Sequence, residues 1–208
     1  AIYLDFAKAF DKVPHQRLLV KLRNLGIGGS LLGWIGDWLE GRSQRVYIGG
    51  GRSGWRRVTS GVPQGSVLGP LLFLVFINDL EEGVLNSVLK FADDTKLFGV
   101  VQSDAQHEQL QKDLCTVVEW SKTWQMEFNV DKCNVLHIGS GNSAMEYSMG
   151  NKLLKKVSTE RDLGVIISRD ISAVSGCKFC LRFGFGFCKK FRAGFGRVSG
   201  SEPEPKPE

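Results

Sequence analysis

Asp93 and Asp94 stand side by side between two short runs rich in apolar and β-branched residues, 87–90 and 95–101. Two strand-like runs joined at a pair of acids read as a β-hairpin with carboxylates at its tip. Adjacent carboxylates repel, so such a turn is either left in solvent or supplied with a cation. A third acid, Asp5, ends another strand-like run over residues 1–6. If these strands are neighbours in one sheet, Asp5 and Asp93 face each other across a site open to solvent. Two carboxylates from different strands add little to a fold. They make a good cradle for Mg²⁺, which keeps several waters and takes one or two carboxylates plus phosphate oxygens.

The elements that must position these acids follow from periodicity and punctuation. After Asp5 the chain turns away, and Pro14 is placed to start a helix over 15–25, where Leu18, Leu19, Leu22 and Leu25 recur at helical spacing before Gly26. A second helix is expected over 30–39, with Ser30 as N-cap and Gly41 past its end. Residues 45–48 and 55–58 flank Gly49, Gly50 and Gly51, which predicts a hairpin with a loose connection. A breaker-rich loop over 60–66 leads into a helix over 67–80, capped by Ser66 and apolar nearly all round, so it is expected to be buried. Ser103 caps a long amphipathic helix whose core stripe is Leu110, Leu114, Val117, Val118 and Trp124. Strands are expected over 133–138 and 161–167. This order predicts an α+β fold, with helices packed on one face of a mostly antiparallel sheet.

Composition sets the outer limits. The chain has 208 residues, 42% of them hydrophobic, enough for one good core. A net charge of +5 suits a polyanion partner without demanding one, because 27 bases are interspersed with 22 acids. Five cysteines and no signal peptide favour a reduced, intracellular compartment. The apolar run 71–77 is far too short to cross a bilayer. The chain opens at Ala1 in a strand-like run without an initiator methionine, which suggests a fragment. Beyond about Ser172 the composition shifts to Phe, Gly, Cys and Lys and then to Pro and Glu, so 173–208 are expected to be a disordered, low-complexity tail. Within it Cys177, Cys180 and Cys188 lack the fourth ligand a structural zinc site needs.

Three stretches, taken together, resemble the motifs of a known family. Residues 3–11 (YLDFAKAFD) resemble motif A of reverse transcriptases, 60–70 (SGVPQGSVLGP) resemble motif B, and 91–94 (FADD) resemble motif C. They occur in the family's order and spacing, and their wording, with Ile77-Asn78-Asp79-Leu80, is nearest that of non-LTR, jockey-like retrotransposon polymerases. The resemblance implies a polymerase palm over 1–172 and an RNA-directed DNA polymerase, with an RNA template, a DNA primer and dNTPs as partners and Mg²⁺ (or Mn²⁺) as cofactor. It implies that Asp5, Asp93 and Asp94 hold the metal. Phe6 then lies beside the incoming nucleotide, and Phe10 takes the steric-gate position, where a ring under the sugar excludes a 2′-hydroxyl. Pro63, Gln64 and Gly65 form the loop over the nascent base pair, Gly65 allowing close backbone approach. Lys132 matches the motif-D lysine, a general acid for the leaving pyrophosphate. Residues 162–165 resemble the motif-E region near the primer grip. Arg52, Arg56 and Arg57 are candidates for phosphate contact.

The chain also departs from the family pattern. Basic fingers do not precede motif A, and the resemblance fades near Ser168 without a recognisable thumb. The rival expectation is therefore a catalytically inactive remnant of a retroelement with at most weak RNA binding.

Overall fold

The structure is a computed structural model and describes residues 1–139 and 142–170. Strand β1 (Ile2–Leu4) enters the centre of the molecule and is followed by the short helix α1 (Ala9–Lys12), α2 (His15–Asn24) and α3 (Gly29–Leu39). A solvent-exposed arm comes next: β2 (Ser43–Gln44) pairs with β5 (Arg56–Arg57), and nested inside it β3 (Tyr47–Ile48) pairs with β4 (Gly51–Arg52). Helix α4 (Leu68–Ile77) continues as a 3₁₀ turn (Asn78–Glu81). Then come the hairpin β6 (Ser87–Phe91) and β7 (Asp94–Phe98), the long helix α5 (Asp104–Trp124) and β8 (Asn134–Leu136). Five short strands finish the described chain: β9 (Ser148–Met149), β10 (Lys152–Leu153), β11 (Lys155–Val157), β12 (Thr159–Asp162) and β13 (Val165–Ser168).

The main sheet has the order β11-β8-β1-β7-β6. Every pairing in it is antiparallel except β11 with β8, so the expected α+β class with a mostly antiparallel sheet is what the chain forms. Side chains alternate across it. Ile2 and Leu4 on β1 and Leu97 on β7 point into one core with Leu72, Phe73 and Phe76 of α4, Leu110, Leu114 and Val117 of α5, and Leu18 and Leu22 of α2. Tyr3 and Lys96, the intervening residues, belong to the opposite face.

Several local expectations need correction. Gly28, not Ser30, is the N-cap of α3. Val67, not Ser66, is the N-cap of α4, although Ser66 Oγ accepts the Gly69 amide at 2.9 Å. Nor is that helix buried all round. Leu71 and Leu74 are about half exposed and Val67 almost fully so, while Leu72, Phe73, Phe76 and Ile77 take the core side. A helix apolar on every face cannot signal which side the chain will cover. Among the described residues no helix is long and apolar enough to cross a membrane. The low-complexity tail and its three cysteines lie outside the described residues.

A buried lysine joins the helices. Lys21 of α2 donates to the Phe76 carbonyl at 2.6 Å and to Asp79, and its Nζ lies 3.8 Å from the centre of the Trp124 ring. Trp120 Nε1 donates to the same Asp79 carboxylate at 2.9 Å. Burial pulls the Lys21 ammonium down to about 8, against the opposing pull of Asp79.

Candidate active site

The strand neighbourhood assumed for the acids is present: β1 lies directly against β7. Its register, Leu4 opposite Thr95, sets Asp5 opposite Asp94 one step further along. The strand pair therefore brings Asp94 to Asp5, where the sequence reading faced Asp5 with Asp93. The reason is the turn. Phe91 pairs with Asp94, so Ala92 and Asp93 alone make the hairpin connection and Asp94 is the first residue of β7. Ala92 takes a φ of 52°, a left-handed conformation that alanine adopts at a cost. Asp93 sits in that turn, beside Asp94.

Asp5 is pinned from its own backbone. Its amide points at Cys133 Sγ at 3.4 Å and its carbonyl accepts the Asn129 amide at 2.7 Å. The turn from Asn129 closes when the Lys132 amide donates back to the Asn129 carbonyl at 2.9 Å, which delivers Lys132 to the acid. Its Nζ stands 3.2 Å from Asp5 Oδ2.

Around this pair runs a cavity of about 250 Å³ lined by Tyr3, Asp5, Asp94, Lys96, Lys132 and the strand Glu160–Asp162, among others. The β12–β13 hairpin closes through Leu163 and Gly164, both at positive φ. Asp162 receives the Lys96 ammonium, and Glu160 accepts from Asn134 Nδ2 at 2.9 Å. Of the stretch 162–165, Asp162 is thereby brought to the acids. Burial, then the charges of Asp93, Asp162 and Asp5, push the Asp94 carboxyl above the usual range against the pull of Lys96. Burial and the same acidic surroundings hold the Tyr3 phenol well above its ordinary value.

This donor set fits a hard divalent cation. Beyond the effect of burial, the charges of Asp93, Asp162 and Asp5 add to the proton affinity of Asp94, as crowded carboxylates at a cation site would. Among the described residues no three or more His, Cys, Asp or Glu side chains converge on one point. The acids thus offer a partial shell, the kind that waters and phosphate oxygens complete.

The remaining expected site residues fall into two groups. Phe6 belongs to the core: 3% exposed, with its ring stacked on Phe128 at 4.4 Å. Alternation along the strand puts its side chain with Ile2 and Leu4, and it does not line the cavity. Phe10, Pro63, Gln64 and Gly65 form a second group around α1 and the loop before α4, and none of them lines the cavity. Phe10 is half-buried and stacks on Phe73 at 4.5 Å. Gln64 donates to Asp11 Oδ1 at 3.2 Å. Gly65 needs its positive φ of 83°, but nothing of the protein lies near its missing Cβ. Gly61 permits a close approach within the protein, since a Cβ there would meet the Asp11 backbone at 2.6 Å. Its carbonyl accepts from Arg42 Nη2 at 3.0 Å and lies 2.9 Å from His15 Nε2, so the loop is tied to the turn after Asp5.

Sequence reading missed Tyr3, Lys96 and Glu160. A period-2 reading of β1 and β7 would have placed Tyr3 and Lys96 on the face of the acids. Glu160 carries no local signal, because only the tertiary return of β12 brings it there.

Residues 1–172 match the family described as reverse transcriptase (RNA-dependent DNA polymerase). The chain is 32% identical over 182 residues to the RNA-directed DNA polymerase from mobile element jockey of Drosophila melanogaster, covering 82% of this chain and 20% of that protein. The Drosophila funebris protein of the same name is 33% identical over 184 residues, with the same coverage. The probable RNA-directed DNA polymerase from transposon X-element of Drosophila melanogaster is 31% identical over 142 residues, 64% of this chain and 15% of that protein. The chain thus spans about a fifth or less of the length of these relatives. With its three motifs in register and a match over most of its length, the chain belongs to the reverse transcriptase family, on the jockey-like side of the non-LTR elements.

Proposed function

We propose that this chain is the palm of a non-LTR reverse transcriptase, the segment that joins a deoxynucleotide to the 3′-hydroxyl of a DNA primer on an RNA template. The reading covers residues 1–172, the span that matches the family. The observation that carries the reading is the adjacency of Asp5 and Asp94 on one open sheet face, with Lys132 at Asp5.

Asp5 and Asp94, joined by Asp93 from the turn, are the residues that would hold Mg²⁺ or Mn²⁺, and such ions would supply Lewis acidity to an in-line displacement. The chain's own residues do the positioning. Lys132 Nζ, 67% exposed and free to swing from Asp5, donates a proton to the pyrophosphate as the bond to the α-phosphorus breaks. Gln64, held by Asp11, and Pro63 and Gly65 frame the base pair being formed. Phe10, braced by Phe73, stands under the sugar and excludes the 2′-hydroxyl. Phe6 serves from the core side, where its stack on Phe128 fixes the end of β1.

Primer extension on an RNA template tests this. Set between the fingers and thumb of a related polymerase, the chain should extend a DNA primer in Mg²⁺ or Mn²⁺, and Asp94→Asn in the same setting should abolish incorporation. Equal incorporation by both proteins would refute the assignment of the acids.

A further inference from the structure

The exposed arm formed by β2–β5 is a second feature of the molecule, separate from the acids. Between residues 42 and 57 the sequence carries five arginines and no acid. All four strands are exposed along their whole length, so the arm contributes little to the core. Its aromatic rings are exposed as well, Tyr47 at 63% and Trp55 at 65%. Each ring has an arginine at its face: the Arg45 guanidinium lies 4.5 Å from the Trp55 ring and that of Arg52 lies 5.9 Å from the Tyr47 ring. Arg42 is spent on structure, bonding the Leu39 and Gly61 carbonyls. Arg45, Arg52, Arg56 and Arg57 form no ion pair with any described residue. At the root of the arm, Arg57 opens onto a groove of about 570 Å³ that Lys12, His15 and Arg17 also line.

We propose that this arm is a binding site for a single-stranded polynucleotide, its phosphates neutralised by Arg45, Arg52, Arg56 and Arg57 and its bases stacked on Trp55 and Tyr47. Unpaired cations interleaved with exposed rings suit a strand that offers both phosphates and free base faces. A folded protein partner rewards neither feature as well, and an acidic one would use the arginines but not the ring faces. A duplex hides its base faces and would meet only the charge. The strand would continue along the groove from Arg57 toward Lys12 and Arg17.

The test is fluorescence anisotropy with a labelled RNA oligonucleotide, the same sequence as DNA, and the corresponding duplex, over a series of salt concentrations. Both single strands share the chemistry, and tighter binding of one identifies which the arm takes. Replacing Arg45, Arg52, Arg56 and Arg57 with Ala should lower the log–log salt slope for single strands by up to about 3 and weaken binding at least tenfold. Trp55→Ala should weaken single-strand binding roughly 5- to 100-fold, leave the salt slope unchanged and leave duplex binding unchanged. Because the arm lies outside the core, circular dichroism melts of both variants should match wild type. The Asp94→Asn chain should bind the strand as wild type does, so failure at the acids and failure of the arm are distinguishable. Unchanged affinity in the fourfold variant, or equal loss for duplex and single strand in Trp55→Ala, would overturn the proposal.

Discussion

Lys132 Nζ lies 3.2 Å from Asp5 Oδ2, so the cation assigned to the leaving group rests on the acid assigned to the metal. Both are partly exposed, and such a pair is worth little as a fold contact. Lys132→Ala should therefore leave thermal stability within about 0.5 kcal/mol. Incorporation should nevertheless fall roughly 100-fold or more, through kcat rather than KM, if the ammonium donates a proton. Single-turnover primer extension measures this. An unchanged rate would return Lys132 to the status of a surface lysine.

Phe10 packs its ring on Phe73, 4.5 Å away, so a smaller residue there leaves the brace but removes the ring under the sugar. Phe10→Val should admit ribonucleotides, raising their incorporation relative to deoxynucleotides by a factor of ten or more on shape exclusion alone. Competition assays with paired rNTP and dNTP read the ratio. Unchanged discrimination would make Phe10 a core aromatic only.

Gly61 and Gly65 lie in the same loop and both have positive φ, yet their substitutions should differ. Gly61→Ala drives a Cβ to 2.6 Å from the Asp11 carbonyl oxygen, with backbone rather than a side chain in the way. It should cost more than about 3 kcal/mol, since the clash with fixed backbone adds to a left-handed strain on the order of 1 kcal/mol. Gly65→Ala meets no protein atom and should cost only the backbone term, on the order of 1 kcal/mol. Urea unfolding of both variants compares them directly.

Asp113 of α5 is 1% exposed and accepts from the Leu85 and Asn86 amides and from the Asn86 and Gln109 side chains. Burial alone would raise its pKa, but those donors outweigh it and hold the carboxyl below the usual range. A depressed folded-state value means this group's stabilisation is present above the unfolded pKa of about 3.9 and is lost as pH falls through the folded value. Asp113→Ala should destabilise the chain at pH 7 by on the order of 3 kcal/mol, because buried donors lose their acceptor. The gap from wild type should shrink below pH 4, as melts at both pH values would record.

The neighbouring strands that carry the acids were legible because two short strand-like runs bracket an acidic turn and a third ends on an acid. Which of the two motif-C acids meets Asp5 was not, since that depends on whether the hairpin turn takes two residues or more. The helices followed from leucine spacing, as at Leu18 and Leu22, and from the cap at Ser103. Exposure of Leu71 and Leu74 was illegible, because α4 is apolar on all sides and only its packing chooses a face. The close approach of Gly61 to the Asp11 backbone was illegible too, a property of how two loops meet. Lys96 reaching Asp162, residues on β7 and β12, is likewise a tertiary event without a local signature.

The most direct test of the central claim is Mn²⁺ binding followed by water-proton relaxation, with and without a dNTP. The wild-type chain should bind Mn²⁺ more tightly when the dNTP is present. Asp5→Asn and Asp94→Asn should each weaken that binding at least tenfold, while Lys132→Ala should not. Undiminished Mn²⁺ and dNTP binding in both aspartate variants would contradict a metal site built by β1 and β7.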